Sequence, residues 1–367
     1  MMYINIYKKF LLLIIFFMTA RQFSFAQEKL HVVLAGLSHD HVNRILDKNK
    51  AGEIIIAGIV EADKLLRDKK KNEWQLPDSI FFPDLKSAIQ KTHPDLVMVY
   101  KAPADHLAVI EECLPHHIPV MVEKPLCFSY PDAKKIEIFS KKFKTKVYTN
   151  FPSDWYLSFS GLLSKSGLAG PISKMVMRGG HQGPVEIGCS KDFLNWLTDS
   201  AKNGGGALID FGCYGALIMT ELMQGNAPLS VYANTKHVKP LIYPKVDDGA
   251  TIVMEYKKAT GIIEASWNWP FTIMDVELFG DSAYLHASEF TVANNGPSLN
   301  FKNEKETIAE EIPVPKYKDE IEYLTAVIKK GSTDDNNLMS LKYNLVVVKI
   351  LDAARKSARE GKKILLN

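Results

Sequence analysis

Short apolar runs recur along the first part of the chain, separated by segments that mix apolar and charged positions at helical spacing. His31–Leu37 (HVVLAGL), Glu53–Val60 (EIIIAGIV), Asp95–Tyr100 (DLVMVY) and Ile118–Val122 (IPVMV) are apolar almost throughout. Strands of that kind are buried on both faces, as in a parallel sheet covered by helices. The intervening stretches, one starting at Val42 and others at Asp84–Lys91 and His106–Leu114, have helical length and pattern. A helix over Pro131–Phe143 and a short strand over Lys146–Asn150 complete the alternation.

Beyond residue 151 the rhythm changes. Ser173–Arg178, Leu229–Thr235, Ala250–Tyr256, Gly261–Trp267 and Asp275–Gly280 alternate or read as hairpins, the pattern of an antiparallel sheet. Helices are expected near Asp154–Ser166, Ala207–Met223, Asp319–Lys330 and Ser340–Glu360. The fold class is α/β. A doubly wound parallel sheet over residues 27–150 is followed over 151–367 by an α+β domain with a large, mostly antiparallel open sheet.

Residues 1–26 stand apart from both patterns. Lys8 and Lys9 precede an apolar core from Phe10 to Met18, and Ser24-Phe25-Ala26 offers small residues for cleavage before Gln27. This is the anatomy of a secretory signal peptide, too short in its core to span a membrane. The expectation is export to the periplasm or the exterior, with no membrane attachment after cleavage. The formal charge of +3 then changes meaning. Lys8, Lys9 and Arg21 all belong to the leader, which has no acidic residue; the rest of the chain has 42 basic and 42 acidic residues. A neutral chain gives no electrostatic case for nucleic acid. Cys113, Cys127, Cys189 and Cys213 form no C-x-x-C pair, and their spacing assigns no disulfide.

The turn after the first strand reads Gly36-Leu37-Ser38-His39-Asp40-His41. A dinucleotide fingerprint has glycine at its first, third and sixth positions, for the turn, for pyrophosphate approach and for helix packing. Here Gly36 keeps the first, Ser38 replaces the second and His41 the third. Ser38 is small, backbone N–H groups at the helix start can hold a phosphate, and His39 or His41 can add a donor. Glu61 ends the second strand where a carboxylate accepts from a ribose 2′-hydroxyl and repels a 2′-phosphate. The expected cofactor is NAD rather than NADP. His-x-His after a first strand also opens barrel hydrolases, but those take further ligands from later strand ends. The remaining histidines do not fall that way, and no metal is expected.

Val122-Glu123-Lys124-Pro125 follows the fourth strand, placing Lys124 at the carboxyl edge where ligands bind in such sheets. Later comes Gly204-Gly205-Gly206-Ala207-Leu208-Ile209-Asp210-Phe211-Gly212-Cys213-Tyr214, with Asp210 and Tyr214 one helical turn apart. Taken in order, E-K-P at 123–125, G-G-G-A-L-I-D-F-G at 204–212 and Ala102-Pro103 after the third strand resemble the Gfo/Idh/MocA oxidoreductases, the group of glucose–fructose oxidoreductase and inositol dehydrogenase. The resemblance spans essentially the whole chain after the leader. It implies an N-terminal Rossmann domain for NAD, hydride transfer on a sugar or polyol, and a homo-oligomer (dimer or tetramer) formed through the second sheet. It also implies roles for Lys124 and Asp210, matching the family's lysine and aspartate. Many members carry His four residues after that aspartate; this chain has Tyr214, as in the glucose–fructose oxidoreductase and dihydrodiol dehydrogenase type.

The expected catalytic residues are therefore Lys124, Asp210 and Tyr214. Oxidising an alcohol requires a base for the hydroxyl proton as hydride leaves. Tyr214 is the first candidate, its pKa lowered by Lys124; if Lys124 carries the proton, Tyr214 orients. Asp210 orients substrate hydroxyls or Lys124. His181, after the strand ending Arg178-Gly179-Gly180, is expected to reach substrate together with Asp210 and Tyr214, and Trp267 and Trp269 offer faces to sugar rings. Cofactor contacts are expected from Gly36, Ser38, His39, His41, Glu61, Ala102, Pro103, Glu123 and Lys124, with Trp196 lining the nicotinamide pocket. Outside the cytoplasm a nicotinamide enzyme needs a tightly held cofactor recycled in place. Two further chemistries stay open: redox-neutral glycoside cleavage and sugar 3-dehydrogenation coupled to a lyase. A non-enzymatic carbohydrate-binding relic of the fold is the other alternative.

Overall fold

The structure is a computed structural model that describes residues 28–290, 297–303, 307–309, 311–334 and 336–366; the expected leader lies outside them. The first sheet contains β1 (His31–Ala35), β2 (Ile55–Val60), β3 (Phe81–Phe82), β4 (Leu96–Val99), β5 (Val120–Glu123) and β6 (Val147–Asn150). Their order is β3-β2-β1-β4-β5-β6, and every pairing is parallel. β4, β5 and β6 are buried at every position, as continuous apolar runs require. Helices α1 (Val42–Lys50), α2 (Lys64–Glu73), α3 (Leu85–Thr92), α4 (His106–Cys113) and α5 (Tyr130–Phe143) connect the strands. The order reverses between β1 and β4, so the carboxyl ends of β1, β4 and β5 open onto the crevice where α/β sheets take ligands. α2 is invisible to apolar periodicity because KLLRDKKKNE is mostly charged; the Asp63 carboxylate fixes its start by accepting from Leu65 and Leu66 N–H.

The expected helix near Asp154–Ser166 is a 3₁₀ turn, Pro152–Trp155, followed by α6 (Leu157–Lys165). The second domain adds α7 (Lys191–Leu197), α8 (Ser200–Asn203), α9 (Ala207–Asp210) and α10 (Gly212–Leu222). The single helix expected over Ala207–Met223 is thus broken at Phe211, which itself keeps right-handed helical angles.

Nine strands build the second sheet: β7 (Ile172–Gly180), β8 (Ser230–Lys236), β9 (Gly249–Glu255), β10 (Thr260–Ser266), β11 (Ile273–Gly280), β12 (Tyr284–Phe290), β13 (Ser298–Lys302), β14 (Thr307–Ala309) and β15 (Ile364–Leu365). Their order is β14-β13-β12-β11-β7-β10-β9-β8-β15, antiparallel except for the β7–β10 pair. β9, β10 and β11 alternate buried and partly exposed positions, so one face meets the core and the other solvent. α10 and the long α12 (Leu341–Glu360) cover the inner face.

The domain boundary at residue 151 needs one amendment. α11 (Glu320–Ile328) leaves the second domain and buries Ile321, Tyr323 and Leu324 against the first domain's core, beside Leu30, Leu34 and Tyr100. Met339 joins the same cluster, and its carbonyl accepts from Thr149 N–H. Among the described residues no helix is long and apolar enough to cross a membrane.

Candidate active site

Lys124 sits one residue beyond β5, before a cis bond to Pro125. Its side chain is 8% exposed, and Nζ donates to Asp210 Oδ1 at 2.5 Å and to the Asp210 carbonyl at 3.3 Å. Asp210 ends α9, and its other oxygen, Oδ2, accepts from Trp267 Nε1 at 3.0 Å. Lys124 Nζ also lies 4.9 Å from the centre of the Tyr214 ring, on α10. Phe211 keeps the helical turn between Asp210 and Tyr214 despite the break, so the i, i+4 spacing read from sequence converges on one ammonium.

The electrostatics follow from burial and pairing. Burial disfavours the charged form of Lys124, but the Asp210 carboxylate outweighs it and holds the lysine well above its ordinary value. Burial likewise pushes Asp210 up, and the charge and hydrogen bond of Lys124 outweigh it, so the carboxyl lies below its ordinary value. The resting site is an ammonium–carboxylate pair. Lys124 pulls the Tyr214 pKa down, as expected, but burial of the phenol outweighs the ammonium and holds the group well above its ordinary value. Tyr214 therefore stays protonated, an aromatic wall and a hydroxyl donor.

His181 follows β7, and its N–H donates to the Ser266 carbonyl. Its ring packs edge-on against Phe211 at 5.0 Å, and its nearest charges include Asp210 and Lys124. Burial lowers its pKa, so the ring is neutral. Nδ1 accepts from Gly183 N–H at 2.9 Å, which leaves the proton on Nε2. His181 is thus a neutral hydrogen-bond donor near the pair. Trp267 is fully buried and holds Asp210, so it presents no face to a sugar. Trp269, two residues on, is only partly buried.

Two residues that shape the site escaped the sequence reading. Asp247 Oδ1 accepts from Gly206 N–H at 2.9 Å, and Oδ2 from Leu208 N–H at 2.7 Å. It thereby caps α9 and aims Asp210. A Cβ at Gly206 would lie 1.8 Å from the Asp247 carbonyl oxygen, which is why this position of the triple glycine has no side chain. Asn150 donates to Glu123 Oε1 at 3.0 Å. The acidic pair Asp247-Asp248 before Gly249 was the only signal available for the first; for the second there was none.

The residues expected to meet the cofactor gather at the carboxyl edge of the first sheet. Gly36 has φ +88°, and a Cβ there would come 2.3 Å from Lys101 Cγ, so the turn demands glycine. Glu61 stands against this turn: Oε2 accepts from Leu37 N–H and Oε1 from Asp63 N–H, both at 2.8 Å. Ala102 and Pro103 lie three and four residues beyond the end of β4 and are buried. His39 is 1% exposed, and its Nδ1 accepts from His41 N–H at 3.2 Å. Burial lowers its pKa, so it is neutral. His41 Nδ1 lies 3.0 Å from Glu123 Oε2. Trp196 lies at this turn. Its Nε1 donates to the Ser38 carbonyl at 3.4 Å, and its ring and that of Phe193 pack on His39. The positive-φ glycine, the acidic end of β2 and the lysine beyond β5 fit a dinucleotide laid along this edge.

Sequence profiles now decide the lineage. Residues 30–151 match the family described as "Oxidoreductase family, NAD-binding Rossmann fold", and residues 163–286 match the "GFO/IDH/MocA C-terminal domain". The chain belongs to the Gfo/Idh/MocA oxidoreductase family. Its first domain is an NAD-binding Rossmann domain. No curated protein sequence matches it significantly.

Solved structures share the fold over nearly the whole chain. Aldose-aldose oxidoreductase from Caulobacter crescentus, complexed with glycerol, is 20% identical with a TM-score of 0.77, over 92% of this chain and 100% of that one. An inositol dehydrogenase homolog from Azotobacter vinelandii, complexed with NAD+, is 15% identical with a TM-score of 0.75, over 93% and 98%. GenD2 from gentamicin A biosynthesis, in complex with NAD, is 17% identical with a TM-score of 0.73, over 93% and 97%. At such identities the likeness is one of fold.

Proposed function

We propose that this protein is an NAD-dependent oxidoreductase that interconverts a hydroxyl and a carbonyl of a sugar, polyol or glycoside. The observation that carries the reading is the buried Lys124–Asp210 pair at the carboxyl edge of the NAD-binding sheet. NAD, when bound, supplies the hydride acceptor or donor. Lys124 moves the proton. As an ammonium it donates to a carbonyl oxygen in the reducing direction; in the oxidising direction it first releases that proton to solvent and then takes the hydroxyl proton as hydride leaves, with Asp210 beside it to stabilise the recharged amine. His181 donates from Nε2 to a neighbouring substrate oxygen, and the Tyr214 hydroxyl adds a second donor. Several donors around one paired charge suit a polyhydroxylated substrate, and the NAD-bound and sugar-related neighbours agree with that choice.

We further infer export, from the leader pattern in residues 1–26, and a homo-oligomer joined through the open face of the nine-stranded sheet. An exported enzyme keeps its dinucleotide, and the contacts of Trp196 and Phe193 with the first turn support tight retention. The test is direct. Purified protein is denatured, the released nucleotide identified, and the nicotinamide absorbance followed with a panel of sugars and glycosides. NAD release and sugar-dependent reduction are expected. Absence of bound NAD together with failure to bind added NAD would overturn the enzyme reading in favour of carbohydrate binding alone.

A further inference from the structure

The sequence reading expected no metal, and the proposed hydride transfer requires none. The fold nevertheless brings His39, His41 and Glu123 together, one ligand atom from each lying within 4.8 Å of the others. Two come from the first turn and the third from the end of β5, positions adjacent only because the sheet order places β1 and β5 on either side of β4.

Three features distinguish this cluster from an ordinary surface group. His39 and Glu123 are each 1% exposed, while His41, with a side chain 37% exposed, provides an entry path. Glu123 is oriented by a second residue, Asn150, which donates to Oε1 and leaves Oε2 to His41; an outer partner of this kind fixes a ligating carboxylate. A cavity of about 170 Å³ adjoins the cluster, lined by His41, Arg44, Tyr100, Glu123, Pro152 and Glu320. Within it the Arg44 guanidinium is paired with Glu320, so its charge is compensated.

We propose that His39, His41 and Glu123 form a binding site for a divalent transition metal, with the open coordination position facing this cavity. Two imidazoles and one carboxylate suit zinc or ferrous iron, not the all-oxygen shells of calcium or magnesium. Ligand atoms around one ion at about 2.0–2.2 Å lie closer together than 4.8 Å. Binding therefore draws the three ligand atoms together. The ion takes the place of the hydrogen bond between His41 and Glu123. The inference does not rest on the hydride-transfer reading, because metal content is read without NAD or substrate.

The experiment strips the purified protein with chelator, dialyses it against zinc, and measures metal content and titration calorimetry. One zinc per chain is expected, bound at least 10-fold more weakly by Glu123→Gln and by His41→Ala. No stoichiometric zinc, or equal affinity in wild type and both variants, would overturn the site. If either variant fails to fold, cobalt loading of the wild-type chain decides. Intense visible bands of a four- or five-coordinate ion support the site, and the pale spectrum of a six-coordinate hydrated ion refutes it. NAD binding, measured alongside, tests the functional proposal separately.

Discussion

Replacing Lys124 with Met removes the cation that compensates a buried carboxylate. Side-chain exposures of 8% and 9% and an Nζ–Oδ1 distance of 2.5 Å make this a buried ion pair. Removing one partner of such a pair costs about 3–5 kcal/mol, because the other charge is left unpaired. Among the described residues, the hydrogen bond then left to the Asp210 carboxylate is the one from Trp267 N–H. Asp210→Asn strands the ammonium in the same way. The double variant Lys124→Met/Asp210→Asn strands no charge, so a thermodynamic cycle should give a coupling energy of about 2 kcal/mol or more. Urea unfolding followed by tryptophan fluorescence measures all four proteins. The pH dependence has a definite sign. Asp210 lies below its unfolded value, so its contribution is present above pH ~4 and lost as pH falls through the folded pKa. Lys124 lies above its unfolded value, so its contribution is present below pH ~10 and lost as pH rises through the folded pKa. The gap between wild type and Lys124→Met should narrow as pH falls, because the unpaired Asp210 carboxyl of the variant, raised by burial, takes up a proton, and should narrow again as pH rises through the Lys124 value. Turnover should fall by about 10²–10⁴, the usual contribution of a positioned acid or base. A single-variant cost under about 1 kcal/mol with an additive cycle would show that these charges are not buried against each other.

Other expectations follow from the same geometry. Tyr214→Phe should lower turnover by less than about 10-fold and leave the pH–rate profile in place, because the phenol is protonated throughout; a shifted alkaline limb would return the proton-carrying role to Tyr214. Gly206→Ala should destabilise by about 1–3 kcal/mol or more, since its Cβ meets the Asp247 carbonyl oxygen; an unchanged urea midpoint would contradict the backbone placement. Trp267→Phe removes a hydrogen bond to a charged group and should cost about 1.5–3 kcal/mol in the same unfolding assay. Glu61→Ala should weaken NAD binding by about 10-fold, or 1.4 kcal/mol, and narrow the preference for NAD over NADP in titrations with both; an unaltered preference would remove Glu61 from cofactor choice.

The parallel sheet followed by an antiparallel one was legible in the sequence, and Lys124, Asp210 and Tyr214, read from it as one site, do come together. Each rests on local information. Continuous apolar runs report strands buried on two faces, alternation reports one, and a lysine after a strand sits at a carboxyl edge whatever follows. Charged α2 was not legible, because its buried positions are Leu66 and Lys70, and so few core-facing residues leave little apolar periodicity to read. Nor was the return of α11 to the first domain, since an apolar helix face does not name its partner. The protonation states were likewise decided by the tertiary structure: burial outweighs the ammonium at Tyr214 and loses to pairing at Lys124 and Asp210. Trp267 and Asp247 entered the site, Trp196 packed on the first turn, and His39, His41 and Glu123 met across it for the same reason. Sequence fixes what each side chain can do, while distances between strand ends far apart along the chain exist only once the sheets have formed.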